Sequence, residues 1–474
     1  MILGKYKKES AGSFPGRTAR THTVAAFLRK PARQGAVLAG RIVVASPRRG
    51  NLRLRDESGE ITLTVSSEPA PNARIGDIVE VAVSSADGTV RAERLTVLTR
   101  SSGLPEHPSR QWESMLTDPS GREMVRKRAE FFSGIREFFR RQGFLEVDPP
   151  ALLAFPGMEP YLDPFELRLR DDQGRSVRAF LSTSPEYAAK KLLAAGFEKL
   201  FMLSRTFRNG EPLIASGMHN PEFTMLEWYR AYASYLEIMD DAEALVRWLC
   251  RRIHGTEAFR FRGETFDLRG PWERLSVADA FWKYAAVDLD AALDRRALLR
   301  IVREKGHRPK DDERYEDLFF RIFLSEVEPA LGHGRPTILY DYPLALAAMA
   351  KTSEDEPVHA ERFEIYIGGV ELGNAFTELN DPTEQKRRLE EERALRRKLK
   401  KTDYPIDQDF IRVLETGMPP SGGIALGVDR LLMVLLDARS IEEVILFPAR
   451  EQFNFEDGST RLTTGVAKAR HRHL

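Results

Sequence analysis

The chain has 474 residues, of which 42% are hydrophobic and 30% charged, and this length and composition predict a soluble protein of two or more domains. A single cysteine excludes a disulfide framework, and no apolar run is long enough for a signal peptide or a membrane span, so we expect a cytoplasmic protein without membrane contact. The formal net charge of +1 indicates no overall attraction to nucleic acid.

The first part of the chain predicts a small β-barrel, which we place at residues 21–110 after a basic N-terminal extension, residues 1–20. Five short segments alternate apolar and polar side chains as β-strands do; they lie at residues 36–44, 52–56, 60–65, 77–83 and 90–97. Five strands at this spacing are typical of an OB-like fold. The stretch from Ser101 to Arg110 contains Ser, Gly and Pro and predicts a linker to the rest of the chain.

The segment from Phe207 to Tyr229 predicts a β-hairpin that binds a nucleotide. A guanidinium such as that of Arg208 can pair with a phosphate through two hydrogen bonds, and a ring such as that of Phe223 can stack on adenine. The second arm alternates as a strand does, and residues 210–217 between the arms are expected to form a loop. Taken alone, the first arm is more typical of an ordinary hairpin with surface charges.

A second hairpin is predicted around three carboxylates. Glu364, Glu371 and Glu378 recur every seven residues, which would place them on one stripe of a helix. The β-branched and aromatic residues after Phe363 and the Gly368-Gly369 pair instead predict two strands and a turn. Carboxylates that converge across two strands can bind Mg²⁺ while it bridges nucleotide phosphates, and Glu364 and Glu371 fit that role. A solvated acidic face is the alternative.

The last patterned segment, residues 422–436, predicts a strand that leads into an apolar helix. Small residues such as Gly423 and Ala425 allow close approach of a ligand to the strand, and Arg430 at the start of the helix can face a phosphate. A tight strand-to-helix turn capped by Asp429 is the alternative. Charged helices are predicted at residues 311–328 and 381–401, and Cys250 is expected to be structural.

Taken together, these segments resemble the class II aminoacyl-tRNA synthetases. Residues 143–150 (GFLEVDPP), 207–229 and 422–436 are similar to motifs 1, 2 and 3 of that family. Residues 183–193 (TSPEYAAKKLL) and 361–379 (ERFEIYIGGVELGNAFTEL) narrow the resemblance to the lysine branch. It implies an α+β fold, with a mainly antiparallel sheet flanked by helices, for a catalytic domain at residues 120–452. A homodimer built on motif 1 and a basic C-terminal tail at residues 453–474 are also expected.

The resemblance implies that lysine or β-lysine is activated as an aminoacyl-adenylate, with ATP as a substrate and Mg²⁺ as the metal. The substrate carboxylate itself attacks the α-phosphate, so no nucleophile from the protein is required. The protein aligns the two substrates and stabilises the developing charge, with Arg208 and Arg430 as the catalytic cations. The residues implied to bind the amino acid are Ser184, Pro185, Glu186, Tyr229, Asn374, Glu378 and Ala425, with Glu227 as a further candidate. Those implied to bind ATP are Arg208, Asn209, Glu211, His219, Asn220, Phe223, Glu371, Leu372, Gly427 and Arg430, and those implied to bind the metal are Glu364 and Glu371.

Two acceptors of the activated amino acid are open. Lysyl-tRNA synthetases charge tRNA(Lys), whereas a related family without the barrel ligates lysine or β-lysine onto elongation factor P. Residues 225–229 (MLEWY), residues 353–355 (SED) and Ala425 resemble the protein ligases. Alignment by eye also puts small polar residues where the tRNA enzymes read the anticodon; these are Ser46, Asn51, Thr62 and Thr89. The barrel and residues 374–381 favour the tRNA enzyme, but we expect elongation factor P as the acceptor and keep tRNA(Lys) as the alternative.

A third possibility is a catalytically inactive binding or regulatory protein. Motif 2 departs from the family at Gly210, where a glutamate that reads the adenine amino group is expected, and its loop is about three residues longer. Glu211 can substitute through a shift of one residue. Because the other implied ATP-binding and metal-binding side chains are present, we expect adenylation to be retained.

Overall fold

The computed structural model describes residues 18–46, 50–65, 73–212 and 216–453, and it divides into two compact units, residues 1–122 and 123–474. The expected N-terminal extension and C-terminal tail lie almost entirely outside the described residues. No helix in the part of the chain that the structure describes is long and apolar enough to cross a membrane.

The first unit contains the predicted barrel, in which five strands close in the order β1-β2-β3-β5-β4. Apolar side chains at every second position of the strands, such as Leu52 and Leu54, point inward because side chains alternate between the two faces of a strand. The elements of this unit are α1 (Val24–Arg29), β1 (Ala36–Ser46), β2 (Asn51–Asp56), β3 (Gly59–Val65), β4 (Ile78–Ala86), β5 (Thr89–Thr99) and α2 (Gln111–Thr117). All five predicted strands are therefore confirmed, and their bounds differ from the predicted ones by at most three residues.

The second unit is built on an eight-stranded sheet in the order β14-β15-β16-β17-β18-β11-β10-β6. Its pairs are antiparallel except β14 with β15 and β10 with β6, so the predicted mainly antiparallel α+β architecture is confirmed. The strands of this sheet are β6 (Leu145–Glu146), β10 (Lys199–Phe207), β11 (Glu222–Ala231), β14 (Glu273–Ser276), β15 (Thr337–Pro343), β16 (His359–Ile367), β17 (Val370–Thr377) and β18 (Ser421–Gly427).

Both predicted hairpins are present in this sheet. Strands β10 and β11 pair antiparallel from Lys199 with Arg230 to Phe207 with Glu222. Strands β16 and β17 are joined by Gly368 and Gly369, whose φ angles of 57° and 71° lie in the left-handed region that glycine adopts without steric cost. The three recurring glutamates therefore lie on strands or directly after one, and not on a helix.

One face of the sheet packs against three helices, α3 (Pro119–Arg141), α5 (Tyr235–His254) and α11 (Val428–Leu435). Ser234 and Glu237 form a capping box at the start of α5, and Gly255 ends it with a φ of 73°. Leu226 and Trp228 of β11 point into this core and are fully buried. Glu227, which lies between them on the strand, therefore faces the opposite side of the sheet, where the candidate site lies.

The remaining elements surround the sheet. Two small sheets are formed by β7 (Leu152–Leu153), β8 (Glu166–Arg170) and β9 (Ser176–Leu181), and by β12 (Ala258–Phe261) and β13 (Glu264–Asp267). The other helices are α4 (Glu186–Ala194), α6 (Val277–Ala280), α7 (Arg295–Glu304), α8 (Tyr315–Ile322), α9 (Pro382–Lys398), α10 (Gln408–Thr416) and α12 (Ala449–Gln452). The two charged helices that the sequence predicts correspond to α8 and α9, which are shorter than the charged segments.

Candidate active site

The floor of the site is a row of residues that lie directly opposite one another across four strands. Glu227 of β11 pairs with Ala425 of β18, Ala425 pairs with Asn374 of β17, and Asn374 pairs with Glu364 of β16. Opposed residues in a sheet place their side chains on the same face. Side chains that are distant in sequence are thus brought side by side, and of the three pairings only that between Glu364 and Asn374 lies within a predicted hairpin.

A cavity of about 430 Å³ lies over this row. It is lined by fifteen of the residues that the sequence singled out: Ser184, Glu186, Arg208, Glu211, His219, Asn220, Phe223, Tyr229, Glu371, Leu372, Asn374, Glu378, Ala425, Gly427 and Arg430. Pro185, Asn209, Glu227 and Glu364 are not among its lining residues; Glu227 is fully buried beneath the lining residues Ser184 and Tyr229, with which it forms hydrogen bonds. Pro185 precedes the first turn of α4, the backbone N–H of Asn209 donates to the carbonyl of Asp163 at 2.7 Å, and Glu364 is held by neighbouring side chains.

One end of the cavity is suited to phosphates. The Arg208 guanidinium lies 5.3 Å from the centre of the Phe223 ring, and its buried Nε finds no hydrogen-bond acceptor among the described residues. Arg430 Nη1 donates to the Glu371 carbonyl at 3.1 Å, and Nη2 contacts His219 Nε2 at 3.0 Å. Burial and the charges of Arg430 and Arg208 lower the pKa of His219 to about 4. His219 is therefore neutral near pH 7, and the two arginines supply the positive charge.

A buried ion pair fixes the helix that carries Arg430. Asp429 Oδ1 lies 2.6 Å from Arg128 Nη1 of α3, and Oδ2 accepts a hydrogen bond from the Thr224 backbone N–H of β11 at 2.6 Å. Asp429 is 1% exposed. The alternative in which Asp429 caps the strand-to-helix turn is therefore wrong, because its carboxylate instead ties α11 to a neighbouring helix and strand. No local pattern indicates Arg128 as the partner, because it lies about 300 residues away in the chain.

The other end of the cavity is strongly acidic. Glu227 accepts hydrogen bonds from Ser184 Oγ at 2.7 Å and from the Tyr229 hydroxyl at 2.8 Å. Burial, followed by the charge of Glu186, raises the pKa of Glu227 to about 8, and burial raises the pKa of Glu378 to about 7 despite a nearby ammonium. Carboxylates that remain hard to ionise indicate too little positive charge around them. A cationic ligand would supply it.

The nearby ammonium belongs to Lys190, which the sequence-based assignment missed. Its Nζ lies 2.7 Å from Glu186 Oε1 and 2.7 Å from Glu378 Oε2, and the side chain is fully buried. Burial alone would lower the pKa of Lys190, but the two carboxylates raise it above its ordinary value, so the group stays charged. Glu378 was expected to bind a substrate ammonium, and one of its oxygens is paired within the chain. The only sequence signal was a Glu and a Lys four residues apart, a spacing that is common on exposed helices.

The second oxygen of Glu378 depends on a glycine. Oε1 lies over Gly423, next to the Tyr229 ring, and a methyl group at position 423 would overlap both of them. Gly423 lies opposite Tyr229 and Phe376 on the neighbouring strands. The absence of a side chain at this position therefore lets the acidic pocket form, as the small-residue pattern of the segment indicates.

The predicted metal ligands, Glu364 and Glu371, have a third carboxylate near them, that of Glu328. The hydroxyls of Tyr342 and Tyr366 and the guanidinium of Arg362 each donate to Glu364 at 2.6 Å. Burial and the charge of Glu364 raise the pKa of Glu371, and burial with both carboxylates raises the pKa of Glu328 to about 7. Within the described ranges no group of three or more His, Cys, Asp or Glu side chains is arranged to hold a metal by itself. The metal assignment therefore stays a prediction.

The loop between β10 and β11 is described except for residues 213–215. Gly210, at the departure from motif 2, has a φ of 73°. The next residue, Glu211, lines the cavity, and its Oε2 lies 3.5 Å from His219 Nε2. A carboxylate therefore reaches the cavity one position after the expected one.

Comparison with known proteins gives matches over nearly the whole chain. The family model described as tRNA synthetases class II (D, K and N) matches residues 109–451. A lysine–tRNA ligase of Staphylococcus aureus (strain MRSA252) is 32% identical over 452 residues, which cover 90% of each chain. A lysine–tRNA ligase of Magnetococcus marinus is 34% identical over 423 residues, which cover 83% of this chain and 82% of the relative.

Proposed function

Because the chain belongs to the class II tRNA synthetases (D, K and N), and within them to the lysine-activating enzymes, we propose that it is a ligase that charges tRNA(Lys) with lysine. The expectation that elongation factor P is the preferred acceptor is not confirmed. Both relatives are lysine–tRNA ligases, and the one from Staphylococcus aureus covers 90% of the chain, so its match extends from the catalytic unit into the barrel. The alternative acceptor, tRNA(Lys), is therefore better supported.

The observation that carries this proposal is the separation of charge along the chain. Residues 1–110 contain 18 Lys and Arg but 10 Asp and Glu, which gives them a net charge of +8 and leaves −7 for the remainder. The overall charge of +1 conceals this difference, and the sequence analysis missed it. A basic unit attracts the phosphates of a nucleic acid, whereas an acidic one repels them. The exposed side chains of Arg53, Arg91 and Arg94 lie on the barrel strands and contribute to this charge.

We propose the following roles in activation. The acidic end binds the two ammonium groups of lysine, and Arg208 and Arg430 hold the phosphates in line with the substrate carboxylate, which attacks the α-phosphate. Pyrophosphate leaves, and the same arginines stabilise the charge that develops on the α-phosphate oxygens. The buried Arg208 Nε, which has no acceptor among the described residues, fits such an anion. Phe223 offers its ring to adenine, and Glu211 takes the place of the expected glutamate.

Mg²⁺ would neutralise the outer phosphates during this step. Glu371, which lines the cavity, and its neighbour Glu364 are the residues that would hold such an ion, and burial, followed by the charge of Glu364, raises the pKa of Glu371. In the second step a ribose hydroxyl at the 3′ end of the tRNA attacks the carbonyl carbon of the adenylate. An ester forms, and AMP leaves with the bonding electron pair.

Elongation factor P remains a second candidate acceptor because of one feature of the barrel. Phe27 is the single Phe, Tyr or Trp between residues 18 and 110, and it is fully buried. Anticodon reading usually depends on exposed aromatic rings that stack on bases. If tRNA is the acceptor, the barrel binds it mainly through phosphates. In the amino-acid pocket, the methyl group of Ala425 lies between Glu227 and Asn374. The size of this side chain bears on the choice between lysine and β-lysine.

The acceptor is tested with full-length protein, ATP, Mg²⁺ and radiolabelled lysine, presented with tRNA(Lys) or with elongation factor P. We expect label on tRNA that mild base releases, because the product is an ester. A base-stable amide on elongation factor P, with no charging of tRNA, would replace the proposal by its alternative. Repeating the assay with β-lysine tests the amino-acid choice in the same way.

The role of the barrel is tested by reversing charge on its surface. Arg53→Glu with Arg91→Glu should weaken tRNA binding and lower the slope of log affinity against log salt by about 1.5, since each phosphate contact contributes about 0.7–0.9. Lysine-dependent exchange of pyrophosphate should stay unchanged. Arg269→Glu with Arg300→Glu, both on exposed side chains of the catalytic unit, is the matched control. Equal effects of the two pairs on tRNA binding would argue against a basic RNA-binding barrel.

We also propose a homodimer, as expected from motif 1, and a cytoplasmic location. The exposed Leu145 and Leu152 lie on the short strands that follow α3 and are consistent with a covered surface. Cys250 is free and buried, as in a reducing compartment. Light scattering of the purified protein tests the dimer.

A further inference from the structure

Lys190 is a positive charge buried next to two residues that line the cavity, Glu186 and Glu378. It lies on α4, one turn after Glu186, and reaches Glu378 beyond the end of β17. The Phe410 ring of α10 lies 5.9 Å from its Nζ. Burying an ammonium costs several kcal/mol unless anionic partners are close, so a fully buried lysine must be matched to its carboxylates.

The charges at this end of the cavity do not balance without a ligand. Among the described residues, Lys190 pairs with Glu186 and Glu378, whereas the third carboxyl group, Glu227, accepts hydrogen bonds from uncharged hydroxyls only. One ammonium beside three carboxylates leaves two negative charges when all are ionised. Other acids also line the cavity, and four of them have an arginine near them: Glu159, Glu371, Glu392 and Asp429. Glu159 has Arg208 and Arg396, and Glu392 has Arg388. The deficit of positive charge is therefore concentrated at the three carboxylates.

We propose that Lys190 is a specificity-determining residue that neutralises one of the three carboxylates, so that the pocket requires a ligand with two ammonium groups. This inference rests on the proposed recognition of lysine. Lys190 also occupies Oε2 of Glu378 and so leaves Oε1, over Gly423 and beside Tyr229, for the substrate. An amino acid with a single ammonium group, such as norleucine, whose side chain ends in a methyl group, would leave one buried carboxylate without a partner.

Removing the ammonium has a defined consequence. In Lys190→Met, Glu378 loses its internal partner and takes up a proton, because an unpaired buried carboxylate is costly. A protonated Glu378 no longer distinguishes the ammonium of lysine from the methyl group of norleucine. The defect should therefore fall on KM and on selectivity, and much less on kcat, since the phosphate end of the cavity is unchanged.

The test compares ATP–pyrophosphate exchange by the wild type, Lys190→Met and Lys190→Ala. We expect the KM for lysine to rise at least tenfold in Lys190→Met, kcat to change less than about threefold, and the preference for lysine over norleucine to fall at least tenfold. Lys191→Met is the matched control, because Lys191 is adjacent on α4 but pairs with Asp407 and is partly exposed. Unchanged KM and selectivity in a folded Lys190→Met protein would overturn the inference.

Chemical rescue separates a charge requirement from a structural one. In Lys190→Ala, propylammonium can fill the vacated space beside Glu186 and Glu378, and it should restore the KM and the preference for lysine, whereas propanol should not. Equal effects of the two additives, or none from propylammonium, would overturn the inference even if Lys190→Met fails to fold. Loss of lysine-dependent exchange in the wild type would instead remove the proposed function.

Discussion

Binding of lysine is predicted to release about one proton at pH 7.5. With a pKa of about 8, Glu227 is about three quarters protonated at this pH, and Glu378, with a pKa of about 7, is about one quarter protonated. The ammonium groups of lysine favour the ionised form of both carboxylates and displace these protons. Isothermal titration calorimetry in buffers of different ionisation enthalpy measures the number directly.

The same linkage sets the pH dependence of affinity. Both carboxylates have raised pKa values, so the binding-competent ionised forms accumulate as pH rises through 7 and 8. Lysine should bind about a hundredfold more weakly at pH 6.5 than at pH 8.5, because Glu227 accounts for about a factor of 25 and Glu378 for about a factor of four. His219 does not titrate in this window, because its pKa is about 4.

Two variants identify the source of the proton. Glu227→Gln should reduce the release to about a quarter of a proton, because only Glu378 then titrates. Glu392→Gln is the control, since Glu392 also has a pKa of about 8 but has the charge of Arg388 near it. Release that is zero in the wild type, or that disappears in Glu392→Gln but not in Glu227→Gln, would refute the assignment of the acidic pocket.

Three further predictions concern single side chains. Glu378→Gln should lower lysine-dependent exchange by roughly a hundredfold or more, because a buried ammonium loses its carboxylate. Equilibrium binding of ATP should stay within about twofold of the wild-type value. Equal loss of exchange and of ATP binding would contradict the pocket assignment. Arg208→Ala and Arg430→Ala should each reduce the exchange rate by roughly a hundredfold or more, and near-normal rates would mean that neither contacts the reacting phosphate. Asp429→Asn should lower the free energy of unfolding in urea by about 3–5 kcal/mol, because it leaves Arg128 buried without its partner. The double variant Asp429→Asn with Arg128→Met should recover part of this loss.

The parts of the fold that the sequence predicted correctly depend on local patterns. The barrel strands alternate apolar and polar residues, and the Gly368-Gly369 turn separates two β-rich runs, so neighbouring residues carry enough information to place them. The row from Glu227 to Glu364 depends in addition on the order of the strands in the sheet, which these local patterns do not contain.

The features that the sequence analysis missed depend on contacts between distant segments. Lys190 and Glu186 have the spacing of an exposed helical pair, and nothing in α4 indicates that Glu378 and Phe410 bury them. Arg128 pairs with Asp429 across about 300 residues. The excess of positive charge in residues 1–110 does not depend on such contacts. It is present in the sequence, but the net charge of the whole chain conceals it.

The proposed activation of lysine is tested most directly by ATP–pyrophosphate exchange with a panel of amino acids. The protein should exchange pyrophosphate in the presence of lysine, and norleucine, which lacks the distal ammonium, should support it at least a hundredfold less well. No exchange with lysine or β-lysine, under conditions in which ATP binds, would contradict the account and favour a catalytically inactive binding protein.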